Sequence, residues 1–560
     1  MKNSIPKLMK KFLLFLFLVI PLCISCSDEE QKPNVLFIAV DDMADWVAYL
    51  GGHPNAITPN LDKLASQGIY FTNAHCASPI CGPSRASILT GLRPETSGCY
   101  TNLGTYVDYV PDAVSLPRYF LDHNYHVMGA GKINHALGMV VPENWHEYGP
   151  DCGIVGSPFT NEELLTEGMD PTRVIARLNC TLPMNGGLSL IDRPEMKWNS
   201  FDWGPLDVDD NEMPDGEIAQ WAVNQLGRDH DSAFFLAVGF YKPHQPFFVP
   251  RKYFDLYDPD EIQLPLTKDG DLDDVPQPGI DFAHAAWSAG THATVVKHDQ
   301  WRAGVRAYLA TITFADAQVG RVLEALEKSS YANNTWIVLW SDHGWSLGQK
   351  EHWGKHEPWQ ASLKVPLIIV PPKSQRPGGF EQGVACSAPV SLLDLYPTLL
   401  EACGLPQKTG LDGESLLPLL EDPETSWNEA VVSSVGRGSH SVFTRKWRYI
   451  HYFDGSEELY DLEEDPEEWT NLAADPGYTS VKNDLFVNIP VDKTISQFVR
   501  WGKWKAVVRS NGNIELYNIH ETFGISEHNE VAGEHPEIVA SIRTYLADND
   551  TKHRHVLIPD

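Results

Sequence analysis

Two continuous apolar runs anchor the chain. Residues 34–40 (NVLFIAV) show no polar alternation and end at Asp41-Asp42, and residues 336–341 (WIVLWS) end in the same way at Asp342-His343. Runs of this length without a period of two predict strands covered on both faces, as in a parallel sheet. Residues 233–240 (AFFLAVGF) and 365–370 (VPLIIV) predict two more buried strands. Elsewhere the period lengthens. Residues 300–328 place Tyr308, Ile312, Ala315, Val319, Val322 and Leu323 on one side of a helix. Residues 59–67, after Thr58-Pro59, and residues 391–403, before Gly404, predict two further helices. Strands alternating with helices predict an α/β architecture. Sites in open α/β sheets lie beyond the carboxyl ends of strands. The two polar pairs are therefore expected at one place although they are far apart in sequence.

Residues 150–215 and 255–300 are rich in Gly, Pro, Asp and Asn and predict long loops or insertions, where specificity is commonly built. The tail carries a repeat. Lys446-Trp447, Gly455 and Glu458-Leu459-Tyr460 recur 57 residues later as Lys503-Trp504, Gly512 and Glu515-Leu516-Tyr517, and Asn471 and Asn529 follow the two copies. Strand, turn and strand in each copy predict a hairpin of an antiparallel sheet. The expected division is a leader at 1–26, a linker at 27–32, a main domain at 33–410 and a C-terminal α+β subdomain at 411–560. The subdomain holds the repeat at 446–473 and 503–532.

The first residues read as a targeting segment. Lys2, Lys7, Lys10 and Lys11 precede the apolar run Phe12–Ile20, which is shorter than the ~20 residues of a spanning helix. Cys23-Ile24-Ser25-Cys26 resembles a bacterial lipoprotein box with Cys26 as the lipidated residue. Ser27-Asp28-Glu29-Glu30 resembles an acidic surface-export tag. A cleaved signal peptide is the simpler alternative. Either reading expects work outside the cytoplasm, at the outer membrane, the cell surface or in the periplasm, with membrane contact only through the lipid. Seven cysteines lie beyond the leader, an odd number, so at least one is unpaired.

The net charge of −32 excludes nucleic acid as an expected partner. An anionic substrate would need a local cationic pocket against that field. Candidate groups for one are present. Cys81-Gly82-Pro83-Ser84-Arg85-Ala86-Ser87-Ile88-Leu89-Thr90-Gly91 predicts a short helix with Cys81 at its start, Arg85 one turn on and Gly91 at its end. The start of a helix favours an anion. Taken alone, Cys81 reads more simply as a buried structural cysteine before a surface helix. Lys132 and His135 stand three residues apart, Lys242 and His244 flank Pro243, and Lys355 follows the second carboxylate strand. Each supplies a cation or a titratable imidazole. Asp41, Asp42, Asp342 and His343 offer mainly hard oxygen ligands, which favour calcium or magnesium over zinc. One Asp-Asp pair alone would more simply be a turn or cap.

The segment Cys81–Gly91 matches every fixed position of C-x-P-S-R-x-x-x-L-T-G, and the chain thereby resembles the type I, formylglycine-dependent sulfatases. Gly131-Lys132-Ile133-Asn134-His135, Lys242-Pro243-His244-Gln245-Pro246 and Ser341-Asp342-His343-Gly344-Trp345-Ser346-Leu347-Gly348 make the iduronate-2-sulfatase-like branch the most similar. The resemblance implies an alkaline-phosphatase-like mixed sheet sandwiched by helices, with a smaller C-terminal antiparallel subdomain. It implies that a maturation enzyme oxidises Cys81 to formylglycine, and that one hydroxyl of the hydrated aldehyde attacks the sulfate sulfur. It further implies calcium, with magnesium second, held by Asp41, Asp42, Cys81, Asp342 and His343. Arg85 and Lys132 would steady the diol, and His135 would take its proton. His244 and Lys355 would bind sulfate and protonate the leaving oxygen, with Lys242 as a further substrate contact. The implied substrate is a sulfated oligosaccharide or polysaccharide, with a 2-sulfated uronic acid suggested by the branch. Two alternatives remain at this stage: a phosphate or phosphonate ester hydrolase of the same superfamily, and a non-catalytic lipoprotein that binds sulfated glycans.

Overall fold

The computed structural model describes residues 32–559 apart from 136–138, 152, 154–155, 160–172, 179, 186–187, 189–200, 286–289, 377–379, 428–429, 521–526, 528 and 550–552. The leader with Cys26, and Cys152, lie outside the described residues. No helix among the described residues is long and apolar enough to cross a membrane. Among the described residues Cys76, Cys81, Cys99, Cys386 and Cys403 are free thiols.

An eight-stranded sheet forms the centre. Its strands in chain order are β1 (Asn34–Asp41), β2 (Ile69–Phe71), β3 (His126–Gly131), β4 (Glu147–Tyr148), β5 (Phe234–Pro243), β6 (Thr335–Ser341), β7 (Leu367–Val370) and β8 (Val384–Cys386). They lie in the order β8-β2-β7-β6-β1-β5-β3-β4. The run from β6 to β4 is parallel, while β7 is antiparallel to both β6 and β2. The sheet is therefore mixed.

Helices cover both faces. Leu36, Ile38 and Val40 of β1 face a core shared with α3 (Pro214–Leu226) and α4 (Trp301–Lys328). Val35, Phe37 and Ala39 face the opposite core, shared with α2 (Cys81–Thr90) and α5 (Leu395–Ala402). A strand buried on both faces has no use for polar alternation, so its sequence reads as an unbroken apolar run. The helix predicted at 59–67 is α1 (Pro59–Ala65). On α4, Tyr308, Ile312, Ala315, Val319 and Val322 are fully buried, as their spacing predicts.

The segments expected as long loops contain regular structure. Trp203–Leu206 pairs with Phe247–Pro250, and short helices occupy Gln277–Ala283 and His292–Lys297. Neither helix is long enough to show a period.

The tail builds two four-stranded sheets. The first holds β9 (Val431–Gly436), β10 (Ser439–Phe443), β11 (Trp447–His451) and β12 (Glu457–Asp461). The second holds β13 (Ile495–Trp501), β14 (Trp504–Arg509), β15 (Ile514–Asn518) and β16 (His555–Ile558), in the order β15-β14-β13-β16. Each antiparallel meander is followed by a helix, α6 (Thr479–Phe486) or α7 (Pro536–Asp548). The two copies correspond down to single bonds. Asn471 Oδ1 accepts from Leu459 and Ala473 N–H at 3.1 and 2.9 Å, and Glu530 Oε1 accepts from Leu516 and Ala532 N–H at 2.9 and 2.7 Å. The partner of Asn471 is thus Glu530, one residue beyond the Asn529 suggested by sequence. A carboxylate and an amide oxygen bind the same N–H pair, so sequence identity is lost where structure is kept.

Candidate active site

The register of β1 on β6 pairs Val40 with Ser341, so Asp41-Asp42 and Asp342-His343 leave neighbouring strands side by side. Gly131 and Gly239 let the third element in. A Cβ on Gly131 would lie 2.0 Å from the Gly239 carbonyl oxygen, and one on Gly239 would lie 2.3 Å from the Lys132 carbonyl oxygen. That close approach of β3 to β5 brings Lys132 to the same place. Helix α2 runs into it from the opposite core. All ten of its residues are buried, and Gly91 ends it with φ 70°. The alternative of a surface helix behind Cys81 is excluded by that burial.

Cys81 Sγ is the meeting point. Lys355 Nζ lies 2.9 Å from it, His343 Nε2 3.2 Å and Lys132 Nζ 3.8 Å, and the His135 imidazole hydrogen-bonds to it. Burial opposes a thiolate here, but Lys132, Lys355 and His343 outweigh it and hold the Cys81 thiol well below its ordinary range. Asp41 balances burial against Lys132 and Arg85, and its carboxyl stays below the usual carboxylate range. Lys132 Nζ donates to Asp41 Oδ2, and Lys355 Nζ donates to Asp42 Oδ1 at 2.7 Å. His244 Nε2 stands 3.7 Å from Asp42 Oδ2, and its Nδ1 bonds the Gln245 carbonyl at 2.5 Å.

Ligand atoms of Asp41, Asp42, Cys81 and His343 all lie within 4.8 Å of one another. The set has the donors to hold a metal ion. Asp42 Oδ2 is buried without a hydrogen-bond partner. His343 Nδ1 faces the Gly344 carbonyl at 3.0 Å, which turns Nε2 toward the centre. Asp342 borders this set. Its Oδ1 accepts from the Asp42 and His343 N–H groups at 3.1 and 3.0 Å, and its Oδ2 accepts from Arg85 Nε at 2.8 Å and lies 3.7 Å from His343 Nε2.

Two expectations change. Arg85 is fully enclosed, and its guanidinium donates to Asp342, to Asp41 Oδ1 at 3.1 Å and to the Lys132 carbonyl. Those partners make it a brace between carboxylates, where the sequence suggested direct contact with the diol. Lys242 is also fully buried, and its ammonium donates to the Pro246 and His244 carbonyls at 2.6 and 3.3 Å. It holds the loop that presents His244, in place of the substrate contact expected of it.

Other residues escaped the sequence reading. Tyr308 OH donates to the Asp42 carbonyl at 2.7 Å and accepts from Ala44 N–H at 2.9 Å, fixing Asp42 at φ 59°. Ser84 Oγ donates to the Asp342 carbonyl at 2.6 Å. Asn102 Oδ1 accepts from Gly82 N–H at 2.7 Å. Asp215 accepts from the Tyr241 and Lys242 N–H groups at 2.8 and 2.9 Å, and the Tyr241 ring lies 4.6 Å from Lys132 Nζ. Ser84 and Asn102 lie in or near the α2 motif, where their type alone signals nothing, and Tyr308 sits inside an apolar helix face.

Comparison with known proteins agrees with this geometry. The sulfatase family pattern matches residues 33–405, and the C-terminal pattern of N-sulphoglucosamine sulphohydrolase matches residues 348–493. A sulfatase of Formosa agariphila is 36% identical over 82% of this chain and 88% of its own length. Human iduronate 2-sulfatase is 30% identical over 64% of each chain. A solved structure bound to its substrate D-glucosamine-2-N,6-O-disulfate superimposes with a TM-score of 0.61 at 20% identity, covering 82% of this chain and 96% of that one.

Proposed function

The chain belongs to the sulfatase family and hydrolyses sulfuric esters, and from that premise we propose that it removes sulfate from a sulfated carbohydrate outside the cell, using a formylglycine made from Cys81 and a bound calcium ion. The observation that carries the reading is the position of Cys81 Sγ. It lies at the start of a buried helix, in contact with Lys355 and His343 and beside the Asp41-Asp42 pair. Cys81 Sγ marks where the oxygens of the matured side chain would stand. That side chain, hydrated, supplies an oxygen nucleophile and a second hydroxyl whose deprotonation releases sulfate, a route open to neither cysteine nor serine. Asp41, Asp42, His343 and the residue at position 81 would hold calcium, with Asp342 alongside. The ion would supply Lewis acidity and a fixed anchor for anionic oxygens.

The remaining work falls to the chain. His135 stands within hydrogen-bond reach of position 81, and burial lowers its basicity enough to keep the imidazole neutral and ready to accept a proton. Lys355 reaches both position 81 and Asp42, so its ammonium stands beside the ester and offsets charge on the transferring group. His244 has a partly open side chain and faces the same point, placing it to donate a proton to the departing sugar oxygen. Lys132 neutralises Asp41 and keeps the nucleophile's surroundings cationic within a chain of net charge −32. Arg85 holds Asp41 and Asp342 in place. The likeness to iduronate 2-sulfatase and to an ulvan-active sulfatase of Formosa agariphila supports a uronic-acid-containing polysaccharide fragment as substrate.

Cys81→Ala is expected to abolish release of sulfate from 4-nitrophenyl sulfate and from ulvan-, carrageenan- and heparin-derived oligosaccharides. Inorganic sulfate binding, read by calorimetry, should persist. Retained turnover in this variant would remove the assignment of residue 81 as nucleophile.

A further inference from the structure

A cavity of about 730 Å³ opens at the tip of the hairpin that leads into Lys355. Ser346–Leu347 pairs with Trp353–Gly354, and Lys355 follows directly. The tip itself, Gly348, Lys350 and Glu351, lines the cavity. The opposite walls come from the 255–300 segment, including Lys268, His284 and the helix His292–Lys297, and from Trp301 at the head of α4.

The tip is packed against those walls. A Cβ on Gly348 would lie 2.5 Å from the Trp301 ring and 2.9 Å from His292. Lys350 and Glu351 hold left-handed backbone angles, φ 51° and 52°. Lys350 Nζ is buried against Asp271 Oδ1 at 2.8 Å and the Glu468 carbonyl. Strain of this kind persists only where the surroundings over-determine it. Cavity wall and Lys355 are therefore parts of one held hairpin.

The lining has the chemistry of a saccharide site. The Trp301 indole N–H donates to the Leu347 carbonyl at 2.6 Å, and the His292 ring meets the indole edge-on at 4.5 Å. His292 Nδ1 is buried without a hydrogen-bond partner. Burial, with His352 nearby, lowers its pKa to about 4, so the ring is a neutral donor and acceptor for hydroxyls. Lys268 and Lys297 share the lining with Asp269 and Glu351. Near-balanced charge suits a polyhydroxyl chain of low charge and disfavours a dense polyanion. The volume falls within the ~300–1,000 Å³ typical of sites that enclose a ligand.

We propose that this cavity is a second saccharide subsite, holding one or two sugar units adjacent to the unit whose sulfate ester reaches Lys355 and His244. The inference rests on the carbohydrate reading given above. It is tested with the matured, calcium-loaded full chain on 4-nitrophenyl sulfate and on size-fractionated ulvan-, carrageenan- and heparin-derived monosaccharide and tetrasaccharide sulfates. Wild-type protein should prefer the tetrasaccharide of its substrate series. Trp301→Ala, which removes the aromatic wall, should cut the tetrasaccharide-to-monosaccharide ratio of kcat/KM by about tenfold, chiefly through KM. Ala293→Trp, placed on the exposed mouth, should do the same by filling the space. If saccharides are turned over but the ratio is already flat in wild type, or is unchanged in Ala293→Trp, the subsite is refuted and the carbohydrate reading stands. If 4-nitrophenyl sulfate alone is turned over, both fall.

Discussion

Glu357 sits two residues beyond Lys355 with one oxygen accepting from the Ser346 and Ser362 hydroxyls and the other, Oε2, buried without a partner. Burial raises its pKa from 4.5 to about 8, against the lowering effect of the two serines. A carboxyl raised in the folded state binds its proton more tightly there than when unfolded. Its contribution to stability is thus complete below about pH 4.5 and is lost as pH rises through about 8. Glu357→Gln should flatten the fall of Tm across that window, as read by thermal melts at a series of pH values. A parallel fall in both proteins would place the effect elsewhere. Residue type marked Asp41, Asp42 and His343 as candidate ligands, because an Asp-Asp pair and an Asp-His pair at two strand ends have few other uses together, while Asp342 borders the cluster they form. It did not give direction. Arg85 and Lys242 read as cations for an anion, yet Arg85 faces carboxylates and Lys242 faces carbonyls. Which partner a long side chain meets depends on elements distant in sequence, and no local pattern encodes that.

At the level of elements, β1 and β6 were legible because burial on both faces leaves only apolar residues, and their polar ends mark the site. The helix His292–Lys297 and the strand Trp203–Leu206 were not, since each is too short for a period to emerge against neighbouring Gly, Pro and Asp. Helix α4 was legible as a helix, but its contribution to the site was hidden. Tyr308 reads as one more apolar position, while its hydroxyl bridges the Asp42 carbonyl and the Ala44 N–H. Tyr308→Phe leaves both groups buried and unsatisfied, which costs about 1–3 kcal/mol. Denaturant unfolding should show that loss, and calcium titration should show weaker binding because Asp42 is no longer held at its left-handed angle. Unchanged calcium affinity would separate the helix from the site.

Over the whole molecule, the repeated tail encloses charge. Glu527 pairs with Arg437 at 2.8 Å and with Lys505, and both cations come from different sheets of the tail. Glu527→Gln removes the charge the two enclosed cations share, leaving Arg437 with Glu515 at 3.6 Å and Lys505 with the Arg437 carbonyl at 2.8 Å, and removing one partner of a buried pair costs about 3–5 kcal/mol. The expected result is a marked drop in Tm with the proposed calcium binding intact in the remaining folded protein. A shift within experimental error would show that the second sheet is not secured this way. The repeat was readable from its Trp, Gly and Leu-Tyr positions, but its function as a second sheet with its own helix needed the fold.

Catalysis by this site turns on the chemical state of residue 81. Mass analysis of the peptide spanning it, from protein co-produced with a formylglycine-generating enzyme, should find the CH2SH side chain replaced by CHO. The aldehyde fraction should rise in proportion to sulfate-releasing activity across preparations. Full activity from protein whose residue 81 is entirely thiol would contradict the account.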